Sequence, residues 1–200
     1  MPVESNAGYA EEAADLLVRY EALPFEACYD GMTQLFPKAP SRIADIGAGT
    51  GRDAAALAAA GHRIVAIEPT EALRQGAMAL HPHPAIEWVN DRLPDLRRLR
   101  QQTFDFALMN AVWMHLTAEE RGMGMARLGE LIVSGGSMIL TLRHGPVPAG
   151  RRMFSVAPEE TEAIARDCGF YSTFRDEVAS RGAANIAAGV RWSRLAFRKR

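Results

Sequence analysis

The sequence predicts an α/β fold in which a mostly parallel sheet of seven strands carries helices on both faces. From Arg42 onwards, short apolar runs alternate with segments of helical periodicity, the order typical of parallel strands joined by helical crossovers. The last two apolar runs have no long helix between them, so the last strand is predicted to be antiparallel. A chain of 200 residues with 48% hydrophobic side chains suits one domain, or one domain with a small appendage.

The segment before the alternating region predicts a small N-terminal helical cap. Apolar residues recur at three- and four-residue spacing over residues 13–23, and a second short helix is predicted over residues 24–36. Prolines follow that helix and end it. Because the segment is too short to close a core of its own, we assign residues 1–40 to the cap and residues 41–200 to the main domain.

The sequence of the main domain predicts strands and helices in regular succession. Thr70 is a candidate N-cap for one helix, and Thr117 with Glu120 three residues later has the capping-box pattern before another. The predicted strands cover residues 42–46, 62–68, 85–90, 104–110, 135–143, 170–178 and 190–200, and the predicted helices cover residues 51–61, 70–80, 117–132 and 157–169.

Three glycines separate the first strand from the helix that follows it. Gly47, Gly49 and Gly51 alternate in the stretch IADIGAGTGRDA. Glycines at such a turn let bare backbone approach a ligand, and in open α/β sheets this turn lies in the ligand-binding crevice. A tight turn that serves packing alone is the alternative. A dinucleotide fingerprint requires G-x-G-x-x-G, whereas here the third glycine comes one position early and Arg52 follows it.

With Asp45 ahead of the glycines, the pattern D-x-G-x-G-x-G resembles motif I of the class I S-adenosylmethionine-dependent methyltransferases. The resemblance runs from about Ile43 to the C-terminus and implies a Rossmann-like sheet. It also implies methyl transfer to an oxygen or nitrogen of a small-molecule acceptor, with S-adenosylmethionine as cofactor, S-adenosylhomocysteine as product and no metal. The loop residues implied to bind the cofactor are Asp45, Gly47, Ala48, Gly49 and Gly51.

Further landmarks of that family follow the next strands. Glu68 ends the second strand in IVAIEPT, where the resemblance implies an acid that holds both ribose hydroxyls of the cofactor. The stretch NDRLPDL resembles the motif whose aspartate, here Asp91, accepts from the adenine amino group. The alternative for Glu68 is a solvated acid at a strand end, and the alternative for Asp91 is an aspartate that only stabilises a turn. The remaining cofactor residues implied are Pro69, Arg92, Leu93, Asn110 and Ala111.

Three side chains at the ends of the fourth and fifth strands are predicted to act on the acceptor. His115 is a candidate general base, because imidazole titrates near neutral pH. Arg143 and His144 end the fifth strand at the ligand edge, where Arg143 suits an anionic or carboxylate substrate. An ordinary hydrogen-bonding histidine and a solvent-facing arginine are the alternatives.

Two aromatic residues of the cap are candidates to cover the cofactor. In related small-molecule methyltransferases an aromatic near the N-terminus packs over the site, and Tyr29 fits that description, with Tyr20 as the second option. Asn110 stands where metal-dependent catechol-type relatives carry an acid, so the resemblance implies that no metal is needed.

Composition and charge limit the partners. A formal net charge of −1 offers no broad basic field for nucleic acid, and no apolar run has the length of a membrane span. Two cysteines without disulfide or metal spacing, and an N-terminus unlike a signal peptide, indicate a cytoplasmic protein. We expect a small-molecule methyl acceptor as partner, with no nucleic acid and no membrane, and a monomer or homodimer.

Other functions stay open. A methyltransferase for transfer RNA or protein would use a basic rim formed by Arg97, Arg98, Arg100, Arg151, Arg152 and the terminal RKR. A non-enzymatic module that binds the cofactor would have the same sequence features. A nucleotide-binding oxidoreductase is disfavoured by the glycine spacing.

Overall fold

The cap consists of two short helices and one turn of 3-10 helix. A computed structural model describes residues 4–38 and 40–200, so Met1–Val3 and Ala39 of the predicted cap lie outside the described residues. The cap contains α1 (Ala13–Glu21), α2 (Phe25–Cys28) and a 3-10 turn (Thr33–Leu35). The second predicted helix is interrupted because Gly31 adopts a φ of 77°, which a right-handed helix does not allow. The division of the chain at residues 40 and 41 stays a prediction.

The sheet has seven strands in the order β3-β2-β1-β4-β5-β7-β6. β1 to β5 run parallel, and β7 lies between β5 and β6 and is antiparallel to both, which confirms the predicted topology. The strands are β1 (Arg42–Ile46), β2 (Arg63–Ile67), β3 (Ile86–Val89), β4 (Phe104–Met109), β5 (Ile132–His144), β6 (Phe170–Ala179) and β7 (Arg191–Lys199). The helices that follow the cap are α3 (Arg52–Ala59), α4 (Glu71–Leu80), α5 (Ala118–Leu131), α6 (Pro158–Asp167) and α7 (Ala183–Ala187).

The two helix N-caps predicted from the sequence, at Thr117 and Thr70, differ in the structure. The capping box of α5 is confirmed, since Thr117 Oγ1 accepts from the Glu120 amide and the Glu120 carboxylate accepts from the Thr117 amide. Thr70 lies at the N-cap of α4 but makes no capping bond; its Oγ1 accepts instead from Asn6 of the N-terminal segment at 3.3 Å. The connection between β6 and β7 also contains the five-residue α7, which the sequence pattern does not predict.

Two apolar clusters cover the two faces of the sheet. On one face the sheet packs against α5 and α6 around Trp113 and Phe170. On the other face, α3 and the cap pack around Tyr29 and Phe106. The ring of Phe36 lies 5.4 Å from that of Phe106, which fastens the cap to the sheet. No helix in the described part of the chain is long and apolar enough to cross a membrane.

Candidate functional site

A cavity of about 620 Å³ opens at the carboxyl ends of β1, β2, β4 and β5. This is the edge of an open α/β sheet at which ligands bind, and the volume is that of a small-molecule site. The glycine loop after β1, the cap and the β6–β7 connection all contribute to its wall. A second depression of about 570 Å³ lies at the opposite edge, by the amino ends of β1 to β3, where the predicted motifs contribute nothing.

The glycine loop combines a packing requirement with an open backbone. All three glycines have positive φ, with 73° at Gly47, 57° at Gly49 and 84° at Gly51. A Cβ at Gly47 would overlap Val112 Cγ2, and one at Gly51 would lie 2.8 Å from the Trp88 ring. At Gly49 the nearest atom, the Gly47 carbonyl oxygen, would be 3.9 Å away, an ordinary van der Waals contact, so no neighbour crowds this position. Packing therefore explains two of the glycines, and the third leaves backbone accessible at the cavity.

Glu68 connects the glycine loop to the end of β2. Its side chain is buried, with Oε2 accepting from the Gly49 amide at 2.9 Å and Oε1 accepting from the Thr70 amide at 2.8 Å. Burial raises the pKa of Glu68, and the two amide hydrogen bonds oppose that shift. Each carboxylate oxygen accepts two hydrogen bonds, so both oxygens keep capacity for a ligand hydroxyl. Glu68 is thus a positioned acceptor and not a solvated acid.

Asp45 presents a buried carboxylate oxygen at the cavity wall. Its side chain is 2% exposed, and its Oδ2 has no hydrogen-bond partner among the described residues. Burial and the neighbouring charge of Asp53 raise the pKa of Asp45 well above its usual value. An unpaired buried acceptor is costly, so this oxygen calls for a donor or a cation from a ligand.

Asp53 forms the centre of a hydrogen-bond network that sequence reasoning missed. Its Oδ2 accepts from the Tyr29 hydroxyl at 2.6 Å and from Asn110 Nδ2 at 3.1 Å. Thr141 donates to Asn110 Oδ1 at 2.9 Å and accepts from the Ala111 amide at 2.8 Å. The network joins α3, β4 and β5 and holds Ala111 at a φ of 61°.

Arg52 anchors the cap to α3. Its guanidinium contacts Asp53 at 2.7 Å and donates to the carbonyls of Tyr20 and Leu23 at 3.2 and 3.3 Å. Of the two tyrosines predicted to cover the site, Tyr20 lies in the cavity wall, whereas Tyr29 is fully buried and is not among the lining residues. Tyr29 packs in the apolar cluster against the rings of Phe25 and Phe36, and its hydrogen bond to Asp53 satisfies the buried hydroxyl.

The residues predicted to lie near the adenine line the cavity, but their polar atoms are partly occupied. Pro69, Asp91, Arg92 and Leu93 all line the cavity. The two carboxylate oxygens of Asp91 accept from the amides of Arg92 and Arg98 at 2.8 and 2.6 Å. Arg92 extends outwards and pairs with Glu4 of the N-terminal segment at 2.7 Å.

The structure brings two of the three predicted acceptor residues to the cavity. His115 lines it with both ring nitrogens engaged, by the Arg152 carbonyl at 2.6 Å and the Tyr9 hydroxyl at 3.0 Å. Arg143 also lines it, and partial burial lowers its pKa. His144 is not part of the wall, because successive strand residues face opposite sides; its Nε2 lies 2.8 Å from Ser193 Oγ.

A cluster of metal ligands is not found in the part of the chain that the structure describes. In residues 4–38 and 40–200 no group of three or more His, Cys, Asp or Glu side chains is arranged to hold a metal ion. The expectation of a metal-independent reaction stays a prediction.

The fold and the site together define an α/β domain of the class I methyltransferase type, with an acid at the end of β2 joined to a glycine loop after β1. Residues 43–136 match a family model described as a methyltransferase domain. Together, this match and the fold support a class I S-adenosylmethionine-dependent methyltransferase.

Named relatives agree with this assignment. The demethylmenaquinone methyltransferase of Clavibacter sepedonicus is 29% identical over 153 residues, which cover 71% of this chain and 60% of that protein. The chain spans less than two thirds of the length of the curated relatives it matches.

Solved structures share the fold. The Burkholderia thailandensis 1,6-didemethyltoxoflavin-N1-methyltransferase, with bound 1,6-didemethyltoxoflavin and S-adenosylhomocysteine, superposes with a TM-score of 0.66 at 22% identity, covering 95% of this chain and 90% of that chain. A TehB-like S-adenosylmethionine-dependent methyltransferase of Corynebacterium glutamicum gives a TM-score of 0.70 at 19% identity, covering 96% and 98%.

Proposed function

We propose that this protein transfers a methyl group from S-adenosylmethionine to an oxygen or nitrogen of a small-molecule acceptor. The observation that carries the proposal is the single cavity in which the glycine loop and Glu68 share a wall with the cap and the β6–β7 connection. One half of the cavity suits the cofactor. The cap and the β6–β7 connection enclose the other half, and the space between them suits a small acceptor.

The cofactor half fits S-adenosylmethionine. The unpaired Asp45 Oδ2 suits a donor or cationic group, and the uncrowded position of Gly49 admits a ligand against its backbone. Glu68 has the remaining lone pairs for two ribose hydroxyls. When bound, S-adenosylmethionine supplies a methyl group already activated by a sulfonium leaving group. The other lining residues that we assign to this half are Gly47, Ala48, Gly51, Pro69, Asp91, Arg92, Leu93, Asn110 and Ala111.

The acceptor half supports a small, anionic molecule. Tyr20, Met153 and Trp192 supply apolar and aromatic wall, and Arg143 supplies charge. Within the described residues, Arg143 has no carboxylate partner, and its one hydrogen bond is to the Pro146 carbonyl at 2.7 Å. We assign Arg143 to an anionic group of the acceptor, because an uncompensated guanidinium at the wall favours such a ligand. The chain then has to align the acceptor with the methyl group and exclude water.

The competing macromolecular acceptor receives less support. Two arginines of the predicted basic rim are neutralised, since Arg151 pairs with Glu12 at 3.0 Å and Arg152 pairs with Glu120 at 2.7 Å. Phosphate recognition depends on free cationic side chains, so this pairing favours a small acceptor over transfer RNA. We also propose a cytoplasmic location, which two unpaired cysteines support, and a monomer or homodimer.

Calorimetric titration with S-adenosylhomocysteine tests the cofactor site. Glu68→Ala removes two charge-assisted hydrogen bonds to the ligand and should weaken binding by about 100-fold, and Gly49→Val should abolish binding by filling the uncrowded position. Glu71→Ala, an exposed glutamate three residues further on, is the matched control and should bind like the unaltered protein. Unchanged affinity in both site variants would refute the assignment.

A labelling experiment tests the acceptor class. The protein is incubated with methyl-labelled S-adenosylmethionine and either a low-mass metabolite extract, total RNA or total protein. We expect label in the low-mass fraction alone. Label in RNA or protein would establish the macromolecular alternative. Binding of S-adenosylhomocysteine without transfer to any fraction would instead support a cofactor-binding module.

A further inference from the structure

A second polar group reaches the acceptor half from the N-terminal segment. Tyr9 lines the cavity, and its hydroxyl lies 3.0 Å from His115 Nε2, although 106 residues separate the two in sequence. The phenol and imidazole rings meet edge-on, with centroids 5.5 Å apart. Tyr9 therefore covers the ring nitrogen through which His115 would otherwise reach an acceptor.

The hydrogen-bond partners of His115 establish where its proton lies. Nδ1 is 2.6 Å from the backbone carbonyl of Arg152, which can only accept a hydrogen bond. Nδ1 therefore carries the proton in the neutral ring, and Nε2 is the acceptor with a lone pair. It follows that the Tyr9 hydroxyl donates to Nε2, so its own oxygen acts as an acceptor towards the cavity wall, where the Tyr20 hydroxyl also faces it.

The charges around this pair keep both groups neutral before the reaction. Arg151 stacks on the Tyr9 ring with its guanidinium carbon 3.6 Å from the centroid, and Arg152 holds the His115 carbonyl at 2.9 Å while pairing with Glu120 of α5. Burial, with the charges of Arg151 and Arg152, lowers the pKa of His115. Burial also raises the pKa of Tyr9. Neutral imidazole is the form that accepts a proton.

We propose that Tyr9 is a catalytic residue that takes a proton from the acceptor and passes its own phenolic proton to His115. This inference rests on the proposed function and replaces direct proton abstraction by His115. The acceptor class that it implies is one whose attacking oxygen or nitrogen still carries a removable proton at neutral pH.

Two protons move in this transfer, one from the acceptor to Tyr9 and one from Tyr9 to His115. The acceptor X–H bond breaks and leaves its electron pair on X, and that proton bonds to Tyr9 Oη. The original phenolic proton bonds to the lone pair of His115 Nε2, which gives an imidazolium. The acceptor then holds the electron pair that would form its bond to the methyl carbon, while the electrons of the sulfur–methyl bond would stay on sulfur to leave S-adenosylhomocysteine. The imidazolium later releases one proton to solvent.

Nitrogen-detected NMR of the histidine rings tests the arrangement without turnover. In the protein saturated with S-adenosylhomocysteine, the His115 signal, assigned by its loss in His115→Asn, should show a protonated Nδ1 and an unprotonated Nε2. Tyr9→Phe should move the Nε2 signal downfield because its hydrogen bond is lost. A protonated Nε2 in the unaltered protein would overturn the inference whatever the activity.

Methyl transfer into the low-mass extract tests the chemistry. We expect Tyr9→Phe and His115→Asn each to lower the initial rate by about 100-fold, the usual contribution of general base catalysis. The double variant should lose no more than either single variant, because the two groups act as one unit. The rate of the unaltered protein should fall as pH drops through the pKa of His115, and His115→Asn should lack this limb. Tyr171→Phe, an exposed tyrosine of β6, is the matched control and should keep its rate.

The outcomes separate this inference from the proposed function. Transfer by Tyr9→Phe within about threefold of the unaltered rate, with intact S-adenosylhomocysteine binding, would overturn the relay and leave the proposed function standing. No transfer by the unaltered protein would overturn both, and that result appears before any variant is made.

Discussion

Replacing Gly47 with alanine tests whether packing explains the first glycine of the loop. The added Cβ meets two costs, a positive φ of 73° and overlap with Val112 Cγ2. An L-residue in the left-handed region costs about 1–2 kcal/mol. Overpacking a fitted contact costs about 1–3 kcal/mol more, so Gly47→Ala should lower the free energy of unfolding by about 2–5 kcal/mol.

Gly49→Ala is the matched control, because it shares the positive φ but has no neighbour closer than 3.9 Å. Only the backbone cost of about 1–2 kcal/mol applies. In urea unfolding followed by circular dichroism, the midpoint of Gly47→Ala should therefore lie lower than that of Gly49→Ala, by about 1 M for a difference of about 2 kcal/mol. Gly49→Ala should instead weaken S-adenosylhomocysteine binding, by about tenfold or more.

The contact with Val112 can be tested by a second substitution. Val112→Ala removes the methyl group that the new Cβ would overlap, so the double variant Gly47→Ala with Val112→Ala should recover part of the packing cost. Equal midpoints for Gly47→Ala and Gly49→Ala, with no recovery in the double variant, would show that strain in the backbone alone sets the cost.

Two further substitutions test the buried network. Burial and the charge of Asp53 raise the pKa of Asp45, so ionising Asp45 at higher pH lowers the stability of the folded protein. In calorimetry, the melting temperature of Asp45→Asn should therefore exceed that of the unaltered protein by about 3 °C or more at pH 8, and by little at pH 4. A difference in melting temperature that does not change with pH would contradict this. Tyr29→Phe removes the 2.6 Å hydrogen bond to Asp53 and should cost about 1–3 kcal/mol in urea unfolding, against less than about 0.5 kcal/mol for the exposed Tyr171→Phe.

Local features of the sequence were enough to predict the sheet and the position of the glycine loop. Strand and helix periodicity and the capping box at Thr117 act over a few residues, so they can be recognised without knowledge of distant contacts. Gly47 and Gly51 are different, because their packing against Val112 and Trp88 is set by the fold. Glu68 was also predictable, since the carboxyl ends of neighbouring parallel strands meet at one edge.

Contacts between distant segments were not predictable. Whether His144 or Arg143 faces the cavity depends on the register of β5, and a shift of one residue exchanges the two faces. The bonds of Asp53 to Tyr29 and Asn110 form only when the cap packs on α3 and β4.

By itself the sequence determined the order of strands and helices, the resemblance to class I methyltransferases and the residues that join the glycine loop to β2, because each of these depends on short-range pattern. Only the tertiary structure placed Tyr9 on His115 and left Asp45 Oδ2 without a partner. The physical reason is that side-chain pairing and desolvation are set by the packing of segments far apart in the chain.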